Sequence, residues 1–224
     1  MIKGVVFDLD NTLYDYECPH EKAMEALRHF ACNKYSLTSK EFDFAYSSAQ
    51  QDVKNQVGKT GASHNRMLYM QMFLEKIKEK PVVDSITLYE IYWDTFIENM
   101  HIFPYVKGLL DELRTRDISI MILTDLTAYI QHRKLLNMGI ADYIDILVSS
   151  EEAGVEKPEL AAFNRLLSKT TYKPAELLMI GDSLEKDIYG GKSIGMYALL
   201  FEKNNKHDMD KRILEYIDEI NKLG

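Results

Sequence analysis

Cysteine is scarce in this sequence: Cys18 and Cys32 are the only two in 224 residues. Two thiols cannot form a disulfide framework, and their spacing does not fit a metal-ligand pattern, so both are expected as reduced thiols. An excess of positive charge is also missing. Lys and Arg total 27 against 35 Asp and Glu, a formal charge of −8. That balance argues against general nucleic-acid binding, which needs clustered basic residues. It leaves small anionic substrates open, because they respond to local charge. No segment approaches the ~20 apolar residues of a membrane span. The apolar opening at residues 2–7 meets Asp8 at once, too soon for a secretory signal. A cytoplasmic protein with no membrane or nucleic-acid partner is expected. There is no internal repeat and no low-complexity tract.

What is present is a chain with 46% hydrophobic residues, long enough for one large domain or a core with a smaller insert. Short apolar runs at 2–7, 118–123, 144–148, 177–180 and 196–201 read as strands. They are nearly continuous in Val, Ile, Leu and Met, the pattern of a parallel sheet covered on both faces. Helical patterns at 105–116, 127–138, 158–168 and 185–194 alternate with the later strands, and a last one covers 208–222. The fold class expected is α/β, a doubly wound parallel sheet. Between the first and second strands the chain from Glu17 to Met100 has no strand pattern. It reads as helices at 20–35, 40–57, 64–80 and 84–100, with a turn at Gly58–Gly61. This is too much for one crossover, so an inserted helical domain is expected at 17–100, with a core of 1–16 and 101–224. The linkers are placed at 15–19 and 100–104.

In open α/β sheets, function collects at the carboxyl edge. The first strand ends in Asp8-Leu9-Asp10-Asn11-Thr12 and the second in Thr124-Asp125. Glu156-Lys157-Pro158 follows the third, and Gly181-Asp182-Ser183 with Asp187 follows the fourth. Asp8, Asp10 and Asp182 would crowd one crevice with like charge, which a hard cation relieves. Mg²⁺ suits carboxylate, water and phosphate ligands. With the Lys157 ammonium and the Thr124 hydroxyl, the set has the parts of a phosphoryl-transfer site in which a carboxylate can be the nucleophile. Singly, each residue is as well read as an Asx turn or a helix cap. The reading rests on all of them falling at strand ends in order.

These segments resemble the haloacid dehalogenase superfamily of hydrolases. Asp8-Leu9-Asp10-Asn11-Thr12 matches DxDxT, and Thr124-Asp125 stands where that family has Ser or Thr followed by Asn. Lys157-Pro158 with Phe163 matches KP-x4-F, and Gly181-Asp182 with Asp187 matches GDxxxxD. The resemblance implies that Asp8 is the nucleophile, and that Asp10 is first the acid and then the base. Thr12 would support the loop, and Thr124 and Lys157 would hold the phosphoryl group. Asp8, Asp182 and the backbone carbonyl of Asp10 would bind Mg²⁺, while Asp187 would hold the metal shell or Lys157. The insert takes the position of a helical cap. Asp125 departs from the pattern, since a carboxylate cannot donate a hydrogen bond as an amide does. It is expected to point away from the phosphate or to cap the helix near Thr127.

A Mg²⁺-dependent phosphatase of a small phosphorylated metabolite is therefore expected. A phosphomutase shares the same motifs. A dehalogenase would leave Asp10, Asp182 and Asp187 unexplained. A non-enzymatic phosphate-binding module would be favoured by loss of a motif residue, and none is lost. A receiver-type domain needs neither the insert nor Asp10. Within the insert, Lys59, His64 and Arg66 cluster near the turn and are candidates for reading the substrate, Arg66 an anionic group and His64 a hydroxyl. Oligomeric state is left open.

Overall fold

The computed structural model describes residues 1–202 and 208–223. The chain divides into two compact units: Met1–Asp15 with the segment from His101 onward, and Tyr16–Met100.

The first unit is built on five parallel strands: β1 Gly4–Phe7, β2 Ser119–Thr124, β3 Ile146–Ser149, β4 Leu177–Gly181 and β5 Tyr197–Leu200. Their order is β3-β2-β1-β4-β5. The chain winds outward from β1 to β3, then crosses to the other side of β1. Phe7 pairs with Ile122 on one side and with Ile180 on the other, so three strands end together at the point where the winding reverses. This is where a doubly wound sheet opens a crevice.

The continuous apolar runs follow from burial on both faces. Val6, Met121, Leu123, Leu177 and Met179 share a cluster with Phe163 and Leu166 of a flanking helix. The alternate residues Val5, Phe7, Ile120, Ile122, Leu178 and Ile180 are equally buried. The helices of this unit are α5 Val106–Thr115, α6 Ala128–Asn137, α7 Ser150–Ala153, α8 Leu160–Leu167, α9 Gly190–Ser193 and α10 Met209–Leu223. Helix α10 buries Met209, Ile213, Ile217 and Ile220, a stripe at helical spacing, and packs on α5. Each such side chain stabilises the fold by about 2 kcal/mol through burial.

The second unit contains α1 Glu17–Tyr35, α2 Ser39–Val57, α3 Arg66–Lys76 and α4 Pro81–Asn99. Helix α2 opens with a capping box between Thr38 and Glu41, and α4 has Pro81 at its first turn, where no N–H is needed. The core is aromatic: Phe42, Tyr69, Phe73, Tyr92, Trp93 and Phe96 are fully or almost fully buried.

Some element boundaries differ from the sequence reading. Helix α1 starts at Glu17, so Pro19 lies inside its first turn and not in a linker; a proline is tolerated there because the first N–H groups have no intrahelical partner. The helix expected at 185–194 is present, but its first part is a π-helix, Leu184–Tyr189, which runs into α9. Both cysteines are free thiols.

Candidate active site

Asp8 follows the last paired residue of β1, and its N–H donates to the Ile180 carbonyl of β4 at 2.8 Å. The backbone thus fixes it between two strand ends. The chain then turns sharply, with Asn11 at φ 64°. Thr12 folds back so that its Oγ1 donates to Asp8 Oδ2 at 3.4 Å. Its own carbonyl is held by the Tyr105 hydroxyl at 3.1 Å.

Lys157 is buried and bridges two carboxylates. Its Nζ donates to Asp8 Oδ1 at 2.7 Å and to Asp187 Oδ1 at 2.6 Å. Burial alone would lower this ammonium's pKa, but the charges of Asp187, Asp8 and Asp125 hold it well above its ordinary value. Asp187 is fixed from its other side by the Ser183 N–H on Oδ2, at 3.0 Å. The glycine of the fourth motif has a steric reason: a Cβ at Gly181 would run into the Asp187 carboxylate. Phe163 of the third motif packs on Gly190, where a Cβ would meet its ring at 2.5 Å and Pro158 at 3.3 Å. Phe163 and Pro158 thus both lie against Gly190, which has no room for a side chain.

Asp8, Asp182 and Asp187 each place a carboxylate oxygen within 4.8 Å of the others. Burial pushes the Asp8 carboxyl up to about 8; Lys157 pulls against this, while Asp187 and Asp10 add to it. Asp182 is open to solvent on one side, yet its carboxyl is also raised, by the protein around it and by the Asp187 charge. Negative charge therefore exceeds what one lysine neutralises. A hard divalent cation fits this donor set, and the set explains why three carboxylates gather there.

The Asp10 carboxylate does not join that cluster. Its Oδ1 accepts from Lys134 Nζ at 2.6 Å and from the Tyr14 hydroxyl. Thr124 ends β2, where Gln131 Nε2 donates to its Oγ1 at 2.8 Å and to the Asp125 carbonyl at 2.6 Å. The Thr124 hydroxyl donates in turn to the Asp125 carbonyl at 3.2 Å. Gln131 and Lys134 are both fully buried on α6 and went unread in the sequence. The available signal was a polar pair inside the stripe that buries Ile130 and Leu135.

Asp125 does not cap α6, contrary to one of the two alternatives above. Glu151 takes that place, accepting from the Ala128 N–H at 2.8 Å. Asp125 Oδ1 instead accepts from the Lys157 backbone N–H at 3.0 Å, and Oδ2 from Lys186 Nζ at 2.7 Å. An acid is tolerated at this position because Lys186, inside the fourth motif, neutralises it. Asp125→Asn keeps the bond to Lys157 and loses the ion pair. It is expected to lower stability by about 1 kcal/mol, since the pair is only partly shielded. Lys186→Met should cost a similar amount, and the double variant little more than either. Strictly additive losses in chemical denaturation would show that the two side chains are not coupled.

Lys59 is exposed and His64 half-buried. Arg66 is buried at the start of α3, donating to the His64 carbonyl at 2.9 Å and the Tyr16 hydroxyl at 2.6 Å. Its guanidinium lies over the rings of Tyr69, Tyr92 and Trp93 at 5.4 to 5.7 Å. The three candidates are neighbours in the chain and differ in exposure.

A parallel sheet that gathers an aspartate pair, a buried lysine and an acidic fourth motif at its carboxyl edge defines a Rossmann-like hydrolase core. Comparison with known proteins agrees. The haloacid dehalogenase-like hydrolase family matches residues 2–195. A ribulose-1,5-bisphosphate 5-phosphatase from Halopiger xanaduensis is 36% identical, over 93% of this chain and 88% of that protein. A glyceraldehyde 3-phosphate phosphatase from Methanopyrus kandleri is 30% identical, over 95% and 89%. A solved 2-haloacid dehalogenase from Pseudomonas syringae shares the fold, with a TM-score of 0.72 at 24% identity over 90% of this chain and 86% of that one. The chain belongs to the haloacid dehalogenase-like hydrolases. Within them it is a phosphatase, a hydrolase acting on phosphoric monoesters. Among the described residues, no helix is long and apolar enough to cross a membrane.

Proposed function

We propose that the chain is a Mg²⁺-dependent, cytoplasmic phosphatase of a small phosphorylated sugar and works through an aspartyl-phosphate on Asp8. The observation that carries this reading is the buried Lys157 bridge between Asp8 and Asp187, with Asp182 in the same acidic cluster. Asp8, Asp182 and the Asp10 backbone carbonyl would hold the cation, with Asp187 beside them. When bound, Mg²⁺ would neutralise the phosphate oxygens and let Asp8 stay ionised beside them.

Asp8 attacks phosphorus in line, and the bond to the leaving oxygen breaks as Asp10 protonates it. Lys157 and Thr124 hold the equatorial oxygens. Asp10, now ionised, takes a proton from water as that water attacks the phosphorus and frees Asp8. Thr12 holds the nucleophile's second oxygen. The preference for a sugar phosphate rests on the two curated relatives, a pentulose bisphosphate phosphatase and a triose phosphate phosphatase. The core motifs touch only the phosphoryl group, so selection is assigned to the helical unit, with Lys59, His64 and Arg66 as its candidate residues.

The test is turnover on ribulose-1,5-bisphosphate, glyceraldehyde 3-phosphate, nucleoside monophosphates and phosphoglycolate, with p-nitrophenyl phosphate as the generic ester. Sugar phosphates are expected to give the highest kcat/KM. Lys59→Ala, His64→Ala and Arg66→Ala should each lower that value while leaving the generic ester nearly unchanged. Fastest turnover of a nucleotide would overturn the substrate class. Equal effects on both esters would remove the three residues from substrate selection.

A further inference from the structure

To transfer a proton, the Asp10 carboxylate has to be aimed at the leaving oxygen. Asp10 sits two residues past the nucleophile on a turn, with its side chain partly open to solvent. A free carboxylate there would sample several rotamers. Proton transfer needs one oxygen within hydrogen-bond reach of the leaving group.

Lys134 supplies the constraint. It is fully buried, on the same face of α6 as Gln131, which is anchored to Thr124. Its ammonium lies 5.6 Å from the centroid of the Tyr14 ring and donates to Asp10 Oδ1 at 2.6 Å. The Tyr14 hydroxyl donates to the same oxygen. Tyr14 is itself fixed: it is completely buried and bridges by backbone to Asp10 and to Ile102. Oδ1 is thus held twice, while Oδ2 has no hydrogen-bond partner among the described residues.

We propose that Lys134, assisted by Tyr14, is a positioning residue that fixes Asp10 Oδ1 and reserves Oδ2 for proton transfer. The inference rests on the acid–base reading of Asp10. Oδ2 gives its proton to the leaving oxygen as the Asp8–phosphorus bond forms and the ester P–O bond breaks. It receives a proton from water as water oxygen bonds phosphorus and the Asp8–phosphorus bond breaks. Helix α6 then sets two parts of the reaction together, Thr124 through Gln131 and Asp10 through Lys134.

A buried lysine could instead serve only the fold, and the leaving group separates the two roles. The kcat/KM value reports phosphoryl transfer to Asp8 alone. An alkyl phosphate needs its leaving oxygen protonated, whereas p-nitrophenolate leaves without help. Lys134→Met is expected to lower kcat/KM on the alkyl ester by about 10²-fold, the scale of acid catalysis. On p-nitrophenyl phosphate, kcat/KM should stay within about threefold, while kcat falls and phosphoenzyme accumulates because water is poorly activated. Lys134→Arg should recover part of the alkyl activity, and Tyr14→Phe should show a weaker form of the same split. Asp10→Asn is the control for the underlying reading. If Asp10→Asn shows the split and the Lys134 and Tyr14 variants lose both esters equally, the positioning role is overturned alone. If Asp10→Asn shows no split, the acid–base reading fails and this inference with it.

Discussion

Asp8→Asn is expected to stop turnover, lowering kcat by roughly 10⁴-fold or more, the scale of losing a nucleophile and not merely an acid–base group. The amide is nearly isosteric, so the change tests chemistry and not shape. Its oxygen can still accept from Lys157, which also keeps Asp187 as an ion-pair partner at 2.6 Å. The fold should survive for a second reason. Burial already drives the Asp8 carboxyl toward its neutral form, so a neutral side chain relieves a cost. In metal-free buffer above about pH 8 the variant should melt no lower than the parent. Acid-quenched parent enzyme should carry a phosphoryl group that hydroxylamine removes, as an acyl phosphate requires, and the variant should carry none. Normal turnover in a folded Asp8→Asn variant would overturn the mechanism. A hydroxylamine-stable label in the parent would place the phosphoryl group elsewhere.

The parts of this protein that were legible in the sequence are those where one residue type has one physical use. Buried parallel strands must be apolar at every position, so runs such as Val5–Val6–Phe7 and Leu178–Met179–Ile180 read directly as strands. The acidic and basic residues that interrupt them fall at strand ends, where the backbone stops pairing. Asp8, Asp10 and Asp182 are therefore expected from sequence in one crevice beside Lys157. The structure groups the carboxylates of Asp8, Asp182 and Asp187 there, with Lys157 bonded to Asp8 and Asp187, while the Asp10 carboxylate lies on Lys134. What was not legible depends on long-range partners. Whether Asp125 is a liability depends on Lys186, 61 residues away in the chain. Lys134 went unread because nothing local shows that Asp10, 124 residues earlier, is its partner. Pro19 misled for a different reason: a proline in the first turn of a helix and one in a linker look alike from sequence.

Removing divalent cation is expected to reduce turnover to background, and Mg²⁺ should restore it. Asp8, Asp182 and Asp187 crowd within 4.8 Å, and the carboxyls of Asp8 and Asp182 are both raised above their ordinary range. Without a cation, folding and ionisation oppose each other. Between the ordinary value of 3.8 and about 8, folded Asp8 keeps a proton that the unfolded chain has released. The stability this proton contributes is full below the ordinary value and is lost as pH rises toward about 8. A cation that binds only the folded, ionised site reverses the loss by mass action. Saturating Mg²⁺ should therefore raise the melting temperature more at about pH 9 than at about pH 6. Asp182→Asn should remove most of that gain and most of the activity, while its metal-free fold melts no lower than the parent. Ca²⁺ should stabilise the fold as well, but inhibit about tenfold or more, because its longer bonds and higher coordination number disturb in-line attack at Asp8. Full activity in excess chelator would remove the cation from the mechanism. A melting temperature indifferent to Mg²⁺ at every pH would remove it from these three aspartates.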